Sequence, residues 1–451
     1  MKKLKLSTTH IIMLSFLVLI MLGAVLLMLP ISSASGTATP FVDALFTATT
    51  ATCVTGLVVV PTFSAWSTFG HVIILLLIQI GGLGVITVLA AFSMMLHRKM
   101  GLSDRLLVQD AFNLDSLAGL GVFVKKVVKG TFVVEGVGAL LYMTVFVPDF
   151  GVRGIWVSVF NSISAFCNAG IDIFAADSLC SYATNPVINL VTSLLIVVGG
   201  LGFIVWWDVI RIIKGRISGS RIGVKSLTLH SKIVLITTAV LLVGGGLLFL
   251  LLEYNNPLTI KDMPLYNKIQ VAFFQSVTTR TAGFMSVPQE NLTNASAVLS
   301  LILMFIGGSP VGTAGGVKTV TVVAIIASAV ASVKNKDSVD LFNRSITRQT
   351  VSKAIAVVCM SGLIVVASTL LLSFVTPAVS VIDVAFETVS ATATVGLSRS
   401  LTSTLNDVGK LIIIATMYFG RVGPISLAVA LNLRKQNTSI IKNPTEDIRV
   451  G

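Results

Sequence analysis

Four short segments of this chain could surround a cation with backbone oxygen. They read VDALFTATTATCVTGL, WVSVFNSISAFCNAGI, IQVAFFQSVTTRTAGF and IDVAFETVSATATVGL, and each ends one residue past a glycine: Gly56, Gly170, Gly283 and Gly396, spaced 114, 113 and 113 residues apart. Ten residues before each glycine stands a phenylalanine, Phe46, Phe160, Phe273 and Phe386, expected to anchor its segment by packing. The chain is therefore a fourfold internal repeat. A run of Thr, Asn, Cys and Ala into glycine favours extended or irregular backbone and lets neighbouring backbones approach closely. Carbonyls set in a ring by four such stretches can replace the hydration shell of a cation.

The elements that must position these segments are apolar. The chain is 54% hydrophobic and 11% charged, against about 25% charged in soluble domains. Eight long apolar runs, near 10–31, 67–96, 127–147, 186–213, 233–252, 296–330, 354–375 and 408–431, reach the ~20 residues that cross a bilayer. The opening MKKLKLSTTH resembles the start of a signal peptide but lacks a small-residue cleavage site, so a first membrane span is expected. The repeated segments are too short and polar to cross. Stretches such as Phe41–Thr52 and Ile382–Thr392 can form about three helical turns before the irregular tail. Non-helical backbone at membrane depth is tolerated only when buried in protein or lining a cavity. The expected fold is an all-α membrane protein with four parallel span–pore-loop–span repeats, eight transmembrane helices in all, around a pseudo-fourfold central pore. The units are 1–98, 99–215, 216–336 and 337–434, followed by a cytoplasmic tail, 435–451.

Charge fixes the topology. The stretches 1–10, 97–130, 211–232, 331–353 and 432–451 hold 24 of the 32 lysines and arginines. The positive-inside rule places all five in the cytoplasm, with both termini inside. The net charge of +13 thus reports orientation and does not call for nucleic acid. Ten acids, among them Asp43, Asp149, Asp172, Asp177 and Glu290, face outward against five bases. With two spans per unit the repeats are parallel, which favours a pore over the inverted repeats of many secondary transporters. The half-helices would aim partly negative C-termini at its axis, again suiting a cation. An ion-coupled transporter of another small cation or solute is the alternative. A membrane enzyme or scaffold is disfavoured, because there is no catalytic constellation, metal cluster or nucleotide motif. The four cysteines form no CxxC pair and are expected to be small buried residues.

The return span of each unit carries a glycine cluster: GGLG at 81–84 and at 199–202, GGSPVGTAGG at 307–316 and FGRVGP at 419–424. The first two are expected to serve close helix packing. The third places five glycines and Pro310 within ten residues, and glycine costs ~1 and proline ~3 kcal/mol inside a helix. The span should break over 307–319 into a flexible loop below the ring, a gate built from Gly312, Thr313, Ala314, Gly315 and Gly316. GTAGGVKT is no phosphate loop, because Val317 separates Gly316 from Lys318. Lys318 and Arg421 are charges inside apolar spans, hence functional candidates: Lys318 to anchor the gate, Arg421 as a positive barrier or loop-holding contact. Arg280 is expected to clamp its pore loop. Glu135 and Asp208 are expected to pair with neighbouring spans or cytoplasmic bases, without an ion role.

The endings CVTGL, CNAGI, RTAGF and TVGLS resemble the pore loops of the Trk/Ktr/HKT superfamily of potassium transporters, and the resemblance covers essentially the whole chain. The length and span number look like those of bacterial Ktr membrane subunits. The resemblance implies potassium filter carbonyls from Val54, Thr55 and Gly56; Asn168, Ala169 and Gly170; Thr281, Ala282 and Gly283; and Thr394, Val395 and Gly396. Glycine at all four positions implies preference for potassium over sodium. It also implies a gate at the broken span, no cofactor on this chain, sodium coupling in some relatives, pairing of two membrane subunits, docking on a cytoplasmic nucleotide-binding regulatory ring, and residence in the bacterial plasma membrane. The cytoplasmic stretches 97–126 and 331–353 would meet that ring or anionic lipid.

Overall fold

The computed structural model describes residues 8–95, 101–112, 119–219, 223–336 and 338–423. The expected tail 435–451, Pro424 and the unit boundaries at 98 and 434 lie outside these residues. A single helical pattern recurs four times: a long helix, a short pore helix, an irregular segment through one of the four glycines, then a return helix. The long helices are Thr8–Met28, Leu120–Phe150, Leu229–Glu253 and Arg348–Val375. The pore helices are Phe41–Cys53, Arg153–Cys167, Leu265–Thr278 and Val381–Ala393. One β-hairpin, Val339–Leu341 paired with Arg344–Ile346, interrupts the helical pattern among the described residues.

The return helices begin where a side chain satisfies their free amides. Ser67, Asn185, Thr293 and Asn406 each cap one, accepting hydrogen bonds from the amides of Gly70, Val187 and Ile188, Ser296, and Gly409. Small residues let the long helices approach the other elements. A Cβ on Gly138 would fall 2.5 Å from Ser162 Oγ, and one on Gly245 2.4 Å from Ser276 Oγ, both hydroxyls on pore helices.

The first two GGLG clusters do more than pack. Their leading glycines do lie against pore helices: a Cβ on Gly81 would fall 1.9 Å from the Thr52 carbonyl oxygen, and one on Gly199 2.0 Å from that of Phe166. The last glycine of each cluster, however, turns the chain. Gly84 and Gly202 have φ of 84° and 88°, and the helices on either side, Thr68–Leu83 with Val85–Met95 and Pro186–Gly200 with Phe203–Ile217, meet at 97° and 102°. The expectation of packing alone is corrected, since the left-handed region that L side chains avoid is open to glycine. Four described helices are long and apolar enough to cross a membrane, or six if each bent pair is one span. The third return span is the broken one, Asn294–Phe305 and Thr319–Val333 flanking an irregular loop.

The repeated phenylalanines are not all equivalent. Phe46, Phe160 and Phe386 are fully buried, whereas Phe273 is 40% exposed and its neighbour Phe274 takes the interior position. Backbone bonds show the cause. Thr55, Ala169 and Val395 each donate to a carbonyl five residues back, but Ala282 donates to Thr278, four residues back. The third pore helix is one residue out of register with the other three. Cys53 and Cys167 are buried as expected, while Cys359 is exposed.

Candidate ion pathway

The pore helices all end at a residue in the left-handed region or one turn before it: Val54, Asn168, Thr281 and Thr394, with φ of 55°, 60°, 64° and 52°. For a β-branched valine this conformation is a genuine outlier, and such strain persists only where the surroundings hold it. Two residues later come the four glycines, at φ of 96°, 64°, 81° and 96°. Hydroxyls one turn up the helix pin the turns: the Gly56 amide donates to Thr50 Oγ1 at 2.9 Å and the Gly396 amide to Ser390 Oγ at 3.0 Å. In the second unit the Ile171 amide donates to Ser164 Oγ, and in the third the Thr278 hydroxyl donates to the Phe284 carbonyl.

The glycines close a ring. A Cβ on Gly56 would fall 2.4 Å from the carbonyl oxygen of Ala169, on Gly170 2.5 Å from that of Ala282, on Gly283 2.6 Å from that of Val395, and on Gly396 2.3 Å from that of Thr55. Each glycine thus abuts the residue preceding the next glycine, in cyclic order, with backbone in van der Waals reach of backbone. Eight of the twelve residues expected around the cation, the four glycines and the residue before each, meet at this ring; Val54, Asn168, Thr281 and Thr394 precede them as the left-handed turns. The four pore-helix C-termini, with their partly negative ends, converge beneath it.

On the side that the charge distribution leads one to expect outside, a cavity of about 400 Å³ opens on the ring, lined by all four glycines together with Asp172, Asp177 and Glu290. An inner cavity of about 330 Å³ is lined by Gly312, Ala314, Gly315, Gly316, Lys318 and Arg421, and by none of the ring glycines. The loop of the broken span lines the second cavity and touches the ring segments at Asn168 and Thr281. It is irregular, as its glycines require, but it is not loose. Gly307 donates to Val317 and Gly308 to Gly315, while Ser309 and Thr313 donate to the carbonyls of Gly200 and Gly199 at 2.9 and 3.2 Å. The expected irregular loop is strapped by these bonds to the bend of the second return span.

Both intramembrane cations hold this loop. Arg421 donates from Nη1 to the Thr313 carbonyl at 2.7 Å and from Nη2 to the Gly81 carbonyl at 2.6 Å, bridging the loop to the first return helix. Lys318 Nζ donates to the Ala314 carbonyl at 2.6 Å. Arg280 is buried and donates from Nη2 to the Gly307 carbonyl at 3.1 Å, so it ties its pore segment to the start of the loop. Glu135 accepts from Gln79 across two spans, and Asp208 accepts from Thr228 and pairs with Arg211 at 2.5 Å. Both fit their expected structural roles. Sequence reading missed the side chain of Asn168, which accepts from the Thr313 hydroxyl, and Glu387, which accepts from Ser398 and Thr402 behind the fourth segment. No local pattern marks either contact.

Outer charges sort by position. Arg399 pairs with Asp383 at 2.6 Å and Lys410 with Asp43 at 2.7 Å, away from the cavity lining. Asp172, Asp177 and Glu290 remain in the vestibule. Burial pushes the Asp172 carboxyl up to about 7; the Ser178 hydroxyl that donates to it opposes this, and the nearby Asp177 carboxylate adds to it. Its negative charge is present above that pH and is lost as pH falls through it. Cation uptake should therefore drop by roughly twofold between external pH 8 and 6 as local attraction weakens. Asp172→Asn should flatten the profile in that window; a variant profile with the wild-type slope would rule out this carboxylate as the origin.

Comparison with known proteins agrees with this geometry. A family described as TrkH, cation transport protein, matches residues 4–440. The potassium/sodium uptake protein NtpJ of Enterococcus hirae is 39% identical, with 99% of this chain and 98% of that protein covered. The Ktr system potassium uptake protein B of Bacillus subtilis is 38% identical, with 100% and 98% covered. The crystal structure of the potassium transporter TrkH from Vibrio parahaemolyticus superposes with a TM-score of 0.76 over 96% of this chain and 86% of that one, at 18% identity, a likeness of fold. With ring, broken span and full-length similarity in agreement, this chain belongs to the TrkH family of cation transport proteins.

Proposed function

We propose that this chain carries potassium into the cell through a gated, channel-like pore, with Gly56, Gly170, Gly283 and Gly396 and their two preceding residues as the filter and residues 312–316 as the gate. The observation that carries this reading is the closed ring of glycines open to one cavity, with the intramembrane loop bonded to two ring segments and lining a second. The names of the Enterococcus and Bacillus relatives support potassium as the ion, and sodium enters as an activating or coupling ion because the first of them is named for both. Inward flow needs no chemistry on this chain, because one charge crossing a negative-inside membrane gains ~2.3 kcal/mol per 100 mV.

In this reading the units 1–98, 99–215, 216–336 and 337–434 supply eight spans in a bacterial plasma membrane, with both termini cytoplasmic. Two copies pair in the membrane and dock on a cytoplasmic nucleotide-binding regulatory ring; the name of the Bacillus relative as part of a Ktr system supports a multi-component assembly. The test is growth of a potassium-uptake-deficient bacterium at low external potassium. Co-expression with the regulatory subunit should restore growth and uptake of labelled potassium or rubidium. A chain that reaches the membrane and restores neither would defeat the proposal.

A further inference from the structure

The intramembrane loop is bonded to the polar caps of the ring segments as well as to its neighbours in the membrane. Thr313 is fully buried, and its Oγ1 lies 3.0 Å from the Phe166 carbonyl oxygen and 3.2 Å from Asn168 Oδ1. Asn168 is the left-handed cap two residues before Gly170, and its Nδ2 donates to the Arg280 carbonyl at 3.4 Å. The Gly315 amide donates to Thr281 Oγ1 at 3.2 Å, the cap two residues before Gly283. Gly315 also has no room for a side chain, since a Cβ there would fall 2.0 Å from Thr394 Oγ1, the corresponding cap of the fourth segment. The first cap is Val54, with no polar side-chain atom to offer.

The loop cannot swing away from this position without breaking the bonds of Thr313 and Gly315. Doing so strips Asn168 and Thr281 of partners that lie against the strained turns leading into Gly170 and Gly283. Buried polar groups left unpartnered are costly, so these two side chains must then find new partners and shift. The geometry points to Asn168 and Thr281 as positioning residues through which the loop sets the second and third ring segments, so that opening the loop also changes which ion the ring prefers. This rests on the reading of the ring as filter and the loop as gate, but it adds that the two are one mechanical unit.

Thr313→Val keeps the shape of the side chain and removes its donor, and Thr313→Ser returns the donor. Purified protein with its regulatory subunit, in proteoliposomes, gives potassium flux and the potassium-to-sodium flux ratio for each variant and for a deletion of 312–316. Loss of one buried hydrogen bond should shift the open-to-closed ratio roughly tenfold. Thr313→Val is therefore expected to raise potassium flux and lower the ratio several-fold, the deletion to lower the ratio further, and Thr313→Ser to restore both. A deletion that raises flux with the wild-type ratio would overturn the coupling and leave the gate standing. A deletion that leaves flux unchanged would defeat the gate reading and the coupling with it. A Thr313→Val protein equal to wild type in both flux and ratio, beside a deletion that raises flux, would remove Thr313 and Asn168 from the latch.

Discussion

Replacing Gly56 by serine is expected to lower the potassium-to-sodium uptake ratio at least about tenfold, a change of only ~1.4 kcal/mol in relative free energy. The residue sits at φ 96°, and a Cβ would fall 2.4 Å from the Ala169 carbonyl oxygen and 3.2 Å from Gly396 Cα. The obstructing atoms are backbone, so no side chain can rotate away. Either the serine drives the first and second segments apart, or the backbone leaves its turn, and each displaces the carbonyls proposed to face the ion. Left-handed strain at a non-glycine residue adds a cost on the order of 1–3 kcal/mol. Because a Cβ on each of the other three glycines would fall 2.5, 2.6 and 2.3 Å from a carbonyl oxygen of the next segment, the serine variants of Gly170, Gly283 and Gly396 should behave alike. Gly36 supplies the control: it too has positive φ, 71°, but nothing lies within 4 Å of its would-be Cβ. Gly36→Ser should leave ion preference intact. Competitive uptake of labelled rubidium and sodium decides the matter, and retained wild-type preference in Gly56→Ser would remove that glycine from the filter.

The ring was legible because its determinants are local and repeated. A glycine at near-constant spacing, preceded by a helical stretch and a short polar run, is a pattern within sixteen residues. The broken third span was legible for the same reason, since five glycines and a proline cannot sustain a helix. Register was not. Phe273 satisfies the ten-residue offset by number, yet Phe274 faces the interior, and the bond that closes the third turn spans four residues where the others span five. The bends at Gly84 and Gly202 escaped notice because glycines that pack and glycines that turn a chain have the same composition.

Long-range bonds lay furthest from sequence reasoning. The partners of Arg421 are 108 and 340 positions away, and Thr313 meets Asn168 across 145. Arg421 and Lys318 could still be singled out, because a charge within an apolar span must find oxygen somewhere. Asn168 could not, since an asparagine beside a glycine reads first as turn chemistry. The structure shows that it is both: its backbone caps the helix while its side chain reaches the loop.

Deleting residues 312–316 should raise potassium flux by at least about tenfold, and Arg421→Gln should produce a smaller rise. The loop can be shortened without dragging its flanking helices, because the residues outside the deletion already meet: Gly307 donates to Val317 at 3.0 Å, and Ile306 pairs with Val317. What the deletion removes is the stretch that lines the second cavity and touches the ring segments, together with the Thr313 carbonyl that Arg421 holds. Each hydrogen bond from the arginine is charge-assisted and contributes about 1.5–3 kcal/mol. Its loss weakens the closed loop but leaves the straps from Ser309 and Thr313 to Gly200 and Gly199 in place. The ordering therefore follows from counting which contacts survive. In Arg421→Gln the loop is still present against the ring segments and opens more often; in the deletion nothing is left to close. Flux into proteoliposomes at matched protein density measures both. Equal flux in the deletion and the wild type would show that the loop does not limit passage. A larger effect from Arg421→Gln than from the deletion would mean that the arginine acts as an electrostatic barrier in its own right, since a positive charge beside the path opposes a cation even when the loop is gone.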